Sequence, residues 1–339
     1  MLIIRHAEVR EILREREREI SDLVAAAYRM HDAGRSAVPH STFLRFPEKP
    51  RDRIIALPAY LGGEVCAAGV KWVASFPENI DAGLARASAT IVLNSLRTGY
   101  PEAFIEASLI SAKRTAASAA LAASVLTGRQ VGGSDVTGVG LIGCGVINVE
   151  VLRFLAAMLP ALSTATIFDT DAARVAEFAQ RCAESVPKVG LVVADSADEV
   201  LSAHSVTAIA TTAARPHLDL AACRPGSSVL HISLRDLTAE SILVSQNVVD
   251  DADHVCREQT SLHLAEQLSG GREFITASIG GILRDPASFR RDPDRIVIFS
   301  PFGLGILDIA LAQFVFTEAV RGQMGVHIDD FLPQTVARN

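Results

Sequence analysis

The segment LIGCGVIN, residues 141–148, decides the fold because it places a glycine turn between an apolar strand pattern and a helix pattern. Gly143 permits a tight turn, and Gly145 lets the backbone approach a pyrophosphate at the positive end of the following helix. Asn148 stands where the usual fingerprint has a third glycine. Two glycines alone are a weak signal, since an ordinary strand–helix turn has the same appearance.

The patterns around this turn favour a dinucleotide-binding domain. From residue 136 to about residue 300, short apolar runs alternate with helical patterns, which predicts an α/β fold with a Rossmann-type, doubly wound parallel sheet. Strands are predicted at residues 137–142, 165–168, 191–194, 206–210, 228–232 and 247–249.

The rest of the chain is expected to form a second, β-rich α+β domain. Its 339 residues are enough for two domains. We assign residues 1–128 and 303–339 to the β-rich domain and residues 129–302 to the dinucleotide domain. A helix predicted over 107–127, ended by Gly128 and the pair Gly132–Gly133, connects them. One long amphipathic helix is predicted over 7–31.

Composition excludes several classes of partner. The net charge is −7 with no long basic run, which argues against nucleic acid or an anionic membrane surface as a partner. The five cysteines are scattered, so neither a disulfide framework nor a metal site is expected, and a reducing, cytoplasmic location fits best. The apolar run 116–126 is too short to cross a bilayer.

Polar residues at predicted strand ends suggest where a ligand binds. Asp169 closes the strand after the glycine turn, where an acid can hold ribose hydroxyls. No arginine follows it, so a 2′-phosphate would be repelled and NAD is favoured over NADP. Thr211 and Thr212 follow one later strand, and Ser233 follows the next. Their side chains either face the ligand crevice or cap ordinary turns. Asp236 lies just beyond and is either a general base or a loop aspartate.

Five cations in the first third of the chain suggest an anionic substrate. Lys71 lies in an apolar strand pattern and Arg114 in an alanine-rich helix pattern. Buried cations need anionic partners, and no equally dense set of acids surrounds these, so a bound carboxylate is the expected partner. Surface charge is the alternative interpretation. The five cations that we single out are Arg45, Arg53, Lys71, Arg86 and Arg114.

Together these residues resemble the ornithine cyclodeaminase/mu-crystallin family, from about residue 45 to residue 325. The segment EASLISAKRTAA, residues 106–117, is similar to the family's signature helix. Segments 52–58, 69–73 and 86–88 look most like the branch that makes 2,3-diaminopropionate for siderophores or peptide antibiotics.

The resemblance implies an NAD-dependent dehydrogenase that acts on a CH–NH bond. It would cleave N-(2-amino-2-carboxyethyl)-L-glutamate oxidatively to 2-oxoglutarate and L-2,3-diaminopropionate. The implied catalytic residues are Asp236 and Lys71, and the implied substrate cations are Arg45, Lys71, Arg86 and Arg114. The expected cofactor contacts are Arg114, Thr115, Gly143, Cys144, Gly145, Val146, Ile147, Asp169, Thr211, Thr212, Ser233 and Ser300. A homodimer formed through the first domain is implied by analogy.

Two alternatives remain open at this stage. The first is ornithine or lysine cyclodeamination, or ketimine reduction, on the same fold. The sequence departs from true ornithine cyclodeaminases at Arg86, where they carry a small polar residue, and at residues 232–235, where they carry a glycine pair. An additional arginine suits a substrate with additional carboxylates. The second alternative is a non-catalytic, crystallin-like binding protein, and the presence of Asp236, Lys71 and Arg114 argues against it.

Overall fold

The computed structural model describes residues 1–127 and 135–332. Within them the chain divides into two compact units. The first contains residues 1–16, 33–111 and those from 305 onward, and the second contains residues 17–32 and 112–304. Compared with the boundaries assigned from the sequence, residues 17–32, 112–127 and 303–304 belong to the second unit. The assigned boundary at 128/129 and the predicted helix-ending glycines Gly128, Gly132 and Gly133 lie outside the described residues.

The elements up to residue 126 include most of the first unit. In chain order they are β1 (Leu2–Ile4), α1 (His6–Ile12), α2 (Glu17–Asp32), β2 (Ser36–Ala37), β3 (Thr42–Phe46), β4 (Lys49–Leu61), β5 (Ala67–Ser75), a 3-10 helix (Pro77–Ala82), β6 (Ala87–Asn94), β7 (Pro101–Glu106) and α3 (Ser108–Leu126).

The elements after residue 135 include the parallel sheet and the returning helix. They are β8 (Gly138–Ile142), α4 (Val146–Met158), β9 (Thr164–Phe168), α5 (Ala172–Ser185), β10 (Gly190–Val193), α6 (Ala197–Ala203), β11 (Val206–Ile209), β12 (Ser228–His231), α7 (Ala239–Val244), β13 (Gln246–Val249), α8 (Ala252–Val255), α9 (Ser261–Ser269), β14 (Ile275–Ser278), α10 (Ile279–Arg284), a 3-10 helix (Pro286–Ser288), β15 (Val297–Ser300), α11 (Gly305–Arg321) and β16 (Val326–His327).

The first unit is built on a mixed sheet with strand order β16-β1-β7-β6-β5-β4-β2, and β3 also pairs with β4. Alternate residues of β4, β5 and β6 point to an inner face that packs against α11. Gly69 of β5 allows this close approach, because a Cβ there would lie 2.2 Å from the Val92 carbonyl oxygen and 3.1 Å from Ile309 Cδ1. Helix α11 is therefore held directly over the middle of the sheet.

The second unit is built on a sheet with strand order β10-β9-β8-β11-β12-β15-β13-β14, in which neighbouring strands are parallel. Strands β8, β9 and β10 lie on one side of the β8/β11 junction, and later strands lie on the other, which is the doubly wound arrangement. The predicted fold class, a Rossmann-type parallel sheet with a separate β-rich unit, is confirmed.

One predicted element is wrong. The single amphipathic helix expected over residues 7–31 is two helices, α1 and α2. Glu15 between them has a φ of 58°, in the left-handed region, which a continuous right-handed helix cannot include. The apolar spacing continues across this break, which explains why periodicity alone did not reveal it.

No helix within residues 1–127 and 135–332 is both long enough and apolar enough to cross a membrane.

Candidate active site

The glycine turn after β8 has the geometry that the sequence predicts. Gly143 has a φ of 94°, and a Cβ there would lie 2.4 Å from the Ala210 carbonyl oxygen, so a side chain cannot be accommodated. Gly145 immediately precedes α4, and no atom lies within 4 Å of the position its Cβ would occupy. Space at the N-terminus of a helix is what a bound pyrophosphate requires.

Asn148, in place of the third fingerprint glycine, fixes this turn. Its side chain is fully buried, and its Nδ2 donates to the carbonyl oxygens of Ile142 at 2.9 Å and Gly143 at 2.7 Å. The amide therefore ties the first turn of α4 to the end of β8. The sequence analysis did not predict this role. The signal for it was a polar residue at a position where a helix and a strand pack closely.

Asp169 lies directly beside the glycine turn. Its carboxylate accepts hydrogen bonds from the backbone N–H of Cys144 at 2.8 Å and of Asp171 at 3.1 Å. Each carboxylate oxygen has a further lone pair that can accept from a ribose hydroxyl. Asp171 caps helix α5 by accepting from Ala173 N at 2.9 Å.

The remaining residues of the turn contribute backbone and surface, not side-chain chemistry. Burial and the nearby charge of Asp169 raise the pKa of the Cys144 thiol to about 12, so the thiol stays protonated. Val146 is exposed and Ile147 is half-buried at the start of α4. With Gly143, Gly145 and Asp169, this edge fits the adenosine and pyrophosphate part of a dinucleotide.

A second cluster lies at the carboxyl ends of β11 and β12 and is centred on Asp236. The Asp236 side chain is fully buried, and the hydroxyls of Thr211 and Ser233 both donate to its carboxylate. Ser233 Oγ also accepts from Thr211 N at 3.1 Å. Asp236 is thus neither a solvent-exposed loop residue nor an isolated base, because it joins the ends of two strands. Thr212, the adjacent predicted contact, is exposed.

His231 and Ser300 extend this cluster. His231 Nε2 lies 3.3 Å from Asp236 Oδ2, and His231 Nδ1 lies 3.4 Å from Ser300 Oγ. Burial by itself would raise the pKa of Asp236, but the hydrogen bond and charge of His231, with the hydroxyls of Ser233 and Thr211, outweigh it and lower the pKa below its ordinary value. The carboxylate is therefore held ionised, as a fixed acceptor.

Arg114 lies on α3 and packs against a glycine of the β15–α11 connection. A Cβ on Gly303, whose φ is 92°, would lie 2.6 Å from Arg114 Nη1. The fully buried carboxylate of Asp250 accepts from Phe302 N at 2.9 Å and Gly303 N at 2.8 Å, which fixes this backbone against the guanidinium. Thr115, the next residue on the helix, is half-buried.

Lys71 of the first unit has a protein partner that the sequence analysis did not foresee. Its side chain is 2% exposed, and Nζ lies 2.6 Å from Oδ2 of Asp308, which is 0% exposed. Ser111 Oγ lies 3.4 Å from the same nitrogen. Lys71 therefore has a protein carboxylate beside it, which the sequence analysis did not include, and its binding of a substrate carboxylate stays a prediction. The acid comes from α11, 237 residues away along the chain.

Three more of the five predicted cations lie at one end of the inner sheet face. Arg45 of β3 is directly opposite Arg53 of β4 in the strand register, and Arg53 is opposite Ser75 of β5. Arg86 Nη1 lies 3.4 Å from Ser75 Oγ. Arg45 also stacks on Phe43, with 5.2 Å between its guanidinium carbon and the ring centroid. Like charges on facing residues of a sheet concentrate positive potential there.

Metal ligands are not clustered in the part of the chain that the structure describes: no group of three or more His, Cys, Asp or Glu side chains is suitably placed. The candidate chemistry of these residues is recognition of a dinucleotide and of carboxylates.

A doubly wound sheet with this glycine turn and strand-end cluster defines an α/β oxidoreductase of the dinucleotide-binding class. The chain belongs to the ornithine cyclodeaminase/mu-crystallin family, whose model matches residues 2–323. The family resemblance inferred from the sequence is confirmed, as is the prediction of an enzyme.

Three relatives illustrate the family. N-((2S)-2-amino-2-carboxyethyl)-L-glutamate dehydrogenase of Staphylococcus aureus is 28% identical over 97% of this chain and 98% of its own. An archaeal alanine dehydrogenase dimer with bound NAD has a TM-score of 0.86 and 26% identity, over 98% and 99% of the two chains. The Thermococcus litoralis Δ1-pyrroline-2-carboxylate reductase, solved with NADH and L-proline, has a TM-score of 0.89 and 24% identity, over 97% and 100%.

The buried cluster predicts unequal effects for two adjacent threonines. Thr211→Val removes a hydroxyl that donates to a buried carboxylate and should lower the free energy of unfolding by about 1–3 kcal/mol. Thr212→Val, at an exposed position of the same loop, should change it by less than about 0.5 kcal/mol. Urea titration of both variants checks this, and equal stabilities for the two would contradict the cluster as described.

Proposed function

We propose that the protein transfers a hydride from the α-carbon of an amino acid substrate to NAD+. The observation that carries this is the Gly143–Gly145 turn beside Asp169, with a Cβ-free approach to the helix N-terminus. NAD supplies the hydride acceptor. No arginine follows Asp169, and its carboxylate would repel a 2′-phosphate, which supports NAD over NADP. The dehydrogenase and reductase relatives support the same cofactor.

The substrate that we propose is N-(2-amino-2-carboxyethyl)-L-glutamate. Its secondary amine links the glutamate α-carbon to the methylene carbon of diaminopropionate. Hydride leaves the glutamate α-carbon, giving an imine; water adds to the imine carbon, and the C–N bond breaks to release 2-oxoglutarate and L-2,3-diaminopropionate. The name of the Staphylococcus aureus relative and the number of cations in the first unit support this choice.

We propose that carboxylate recognition is divided among the cations. Arg45, Lys71 and Arg114 would hold the glutamate α-carboxylate, and Arg86 would take a further carboxylate. Arginine presents two parallel N–H donors to a carboxylate, which fixes orientation as well as charge. Holding the α-carbon at hydride distance would supply much of the rate.

Asp236 is proposed as the general acid/base of the hydrolytic step. Its position beyond β12 supports this role. Its burial and its lowered pKa support a second role, in which the carboxylate is a fixed hydrogen-bond acceptor that orients Thr211 and Ser233. Thr115, Thr212 and Ser300 remain proposed cofactor contacts.

A second function on the same fold is supported by two relatives. Alanine dehydrogenase and Δ1-pyrroline-2-carboxylate reductase are also similar to this chain over almost its whole length. Ketimine reduction or ornithine or lysine cyclodeamination are therefore the alternatives. Cyclodeamination yields no net NADH, so absorbance at the NADH band separates it from oxidative cleavage.

The glycine turn gives a test of cofactor binding. Gly145→Ala should leave the free energy of unfolding within about 1 kcal/mol of wild type, because the new methyl group meets no protein atom. It should weaken NAD+ binding at least about tenfold, because that space is where the pyrophosphate would lie.

Calorimetry with NAD+ and NADP+ measures both affinities. Gly190→Ala is the matched control, since a Cβ there would meet only Ser163 O, at 3.7 Å. Tighter wild-type binding of NADP+ than of NAD+ would refute the role of Asp169.

The substrate assignment predicts a defined product pattern. Wild-type protein with N-(2-amino-2-carboxyethyl)-L-glutamate and NAD+ should form NADH and 2-oxoglutarate in equal amounts.

Arg114→Ala should lower kcat/KM at least about tenfold, since truncating one partner of a desolvated charge pair costs on the order of 2–5 kcal/mol. Asp236→Asn should lower turnover by about 10²–10⁴-fold if Asp236 transfers protons.

Arg181→Ala is the control for these variants, because Arg181 is an exposed residue that pairs with Glu177 on α5. NADH and 2-oxoglutarate are followed separately. Wild-type kinetics in a folded Arg114→Ala variant would remove that residue from the proposed site, and product release by Asp236→Asn at the wild-type rate would reassign the acid/base.

We also propose that the protein is a homodimer formed through the outer face of the first unit's sheet. Tyr60, Trp72 and Phe104 on this face are 38%, 45% and 39% exposed, and Val70 and Val92 lie between them in the register. A contiguous apolar surface of this kind is typical of interaction sites.

Light scattering should give twice the chain mass of 36.1 kDa. Trp72→Glu should shift the protein toward the monomer, because it places a charge in the apolar face. Val193→Glu, on a 59% exposed strand residue of the second unit, should leave the mass unchanged. A monomeric wild-type protein would exclude the dimer.

A further inference from the structure

The ion pair between Lys71 and Asp308 is enclosed by apolar side chains. Lys71 lies on β5, and its in-register neighbours on β4 and β6 are Leu57 and Ile91, both buried. Asp308 lies in the first turn of α11, where Ile306 and Ile309 are also buried. The two charges therefore compensate each other among buried apolar side chains between sheet and helix.

Stability alone does not account for this pair. Two charges lose their hydration on burial, and replacing such a pair by apolar residues of similar volume is often neutral or stabilising. A buried pair is therefore weak evidence for stability, and a functional role for its charge is worth testing.

We propose that Asp308 is a positioning residue that keeps the Lys71 ammonium ionised and aimed for carboxylate binding. Burial disfavours the charged form of a lysine, and a carboxylate at hydrogen-bond distance favours it. The position of Asp308 is fixed, because helix α11 packs directly on β5 at Gly69. The Nζ–Oδ2 distance of 2.6 Å and the Ser111 contact at 3.4 Å fix the direction of the ammonium.

This inference rests on the proposed use of Lys71 as a carboxylate-binding cation. It adds that Asp308 of α11 determines how strongly Lys71 binds a carboxylate. Removing the acid should affect the amino acid substrate and leave the cofactor unaffected, because Asp308 belongs to the first unit and the glycine turn to the second.

The first test compares Asp308→Asn with wild type. The amide keeps the shape and one hydrogen bond but removes the negative charge. KM for the amino acid substrate should rise at least about tenfold, in line with the loss of one partner of a buried charge pair, while the Kd for NAD+ stays within a factor of two of wild type. Asp308→Glu, which restores the charge, should recover part of this loss. Glu318→Gln, a change of acid on the same helix, is the control.

The second test separates positioning from stability. The double variant Lys71→Met/Asp308→Leu replaces the pair by apolar side chains and should unfold at a urea concentration close to that of wild type. It should nevertheless have lost the amino acid turnover. A folded double variant with wild-type kinetics would show that the pair serves only the fold, and would overturn the inference. The double variant can be measured even if Asp308→Asn fails to fold.

Binding of 2-oxoglutarate, measured by calorimetry in the presence of NADH, keeps this test independent of the substrate assignment. If wild type turns over no amino acid but binds 2-oxoglutarate, the proposed reaction fails while the Asp308 comparison stands. Loss of binding in Asp308→Asn supports the inference, and unchanged binding overturns it.

Discussion

The carboxylate of Asp236 has no access to solvent, so protein groups must stabilise its charge, and the strand-end cluster is organised around it. Hydroxyls from the ends of β11 and β12 converge on it, and His231 of β12 lies against the oxygen that accepts from Ser233. Parallel strands make this possible, because their carboxyl ends meet at one edge of the sheet. The same requirement recurs at Lys71, where the compensating charge comes from a helix. In both places a polar group lies where the apolar core would otherwise be continuous.

Local patterns predicted most of the second unit. Alternating apolar runs and helix patterns identified strands β8 to β13, and the two glycines marked the turn where a side chain would collide with the Ala210 carbonyl. Strands β14 and β15 were not predicted. The β14 run ITAS is short and half polar, whereas the run of residues 296–299 before Ser300 is apolar and was a strand signal that the prediction missed. The break between α1 and α2 was also missed, because it depends on the backbone conformation of Glu15 and not on hydrophobic spacing.

Partners separated along the chain could not be predicted. The isolated acid in the apolar run around Asp308 was a visible signal, but nothing in the sequence connects it to Lys71. Asp250 likewise follows a strand without any mark that its oxygens would hold the backbone at Phe302 and Gly303. Of the predicted site residues, Thr211, Ser233 and Asp236 lie together, as do Gly143, Cys144 and Asp169. The members of each group follow neighbouring parallel strands, so the sheet topology brings them to one edge although 25 residues separate them along the chain.

The division of the chain into interleaved segments has a consequence for how the protein is made. Residues 17–32 belong with a unit whose remaining residues begin at 112, and the first unit is completed only by residues from 305 onward. During synthesis from the N-terminus, Lys71 emerges from the ribosome long before Asp308, so its strand cannot reach the native burial until α11 has also been released. Neither unit exists as one continuous stretch of polypeptide. A nascent chain must therefore keep its early strands out of wrong associations until α11 is available to pack on them.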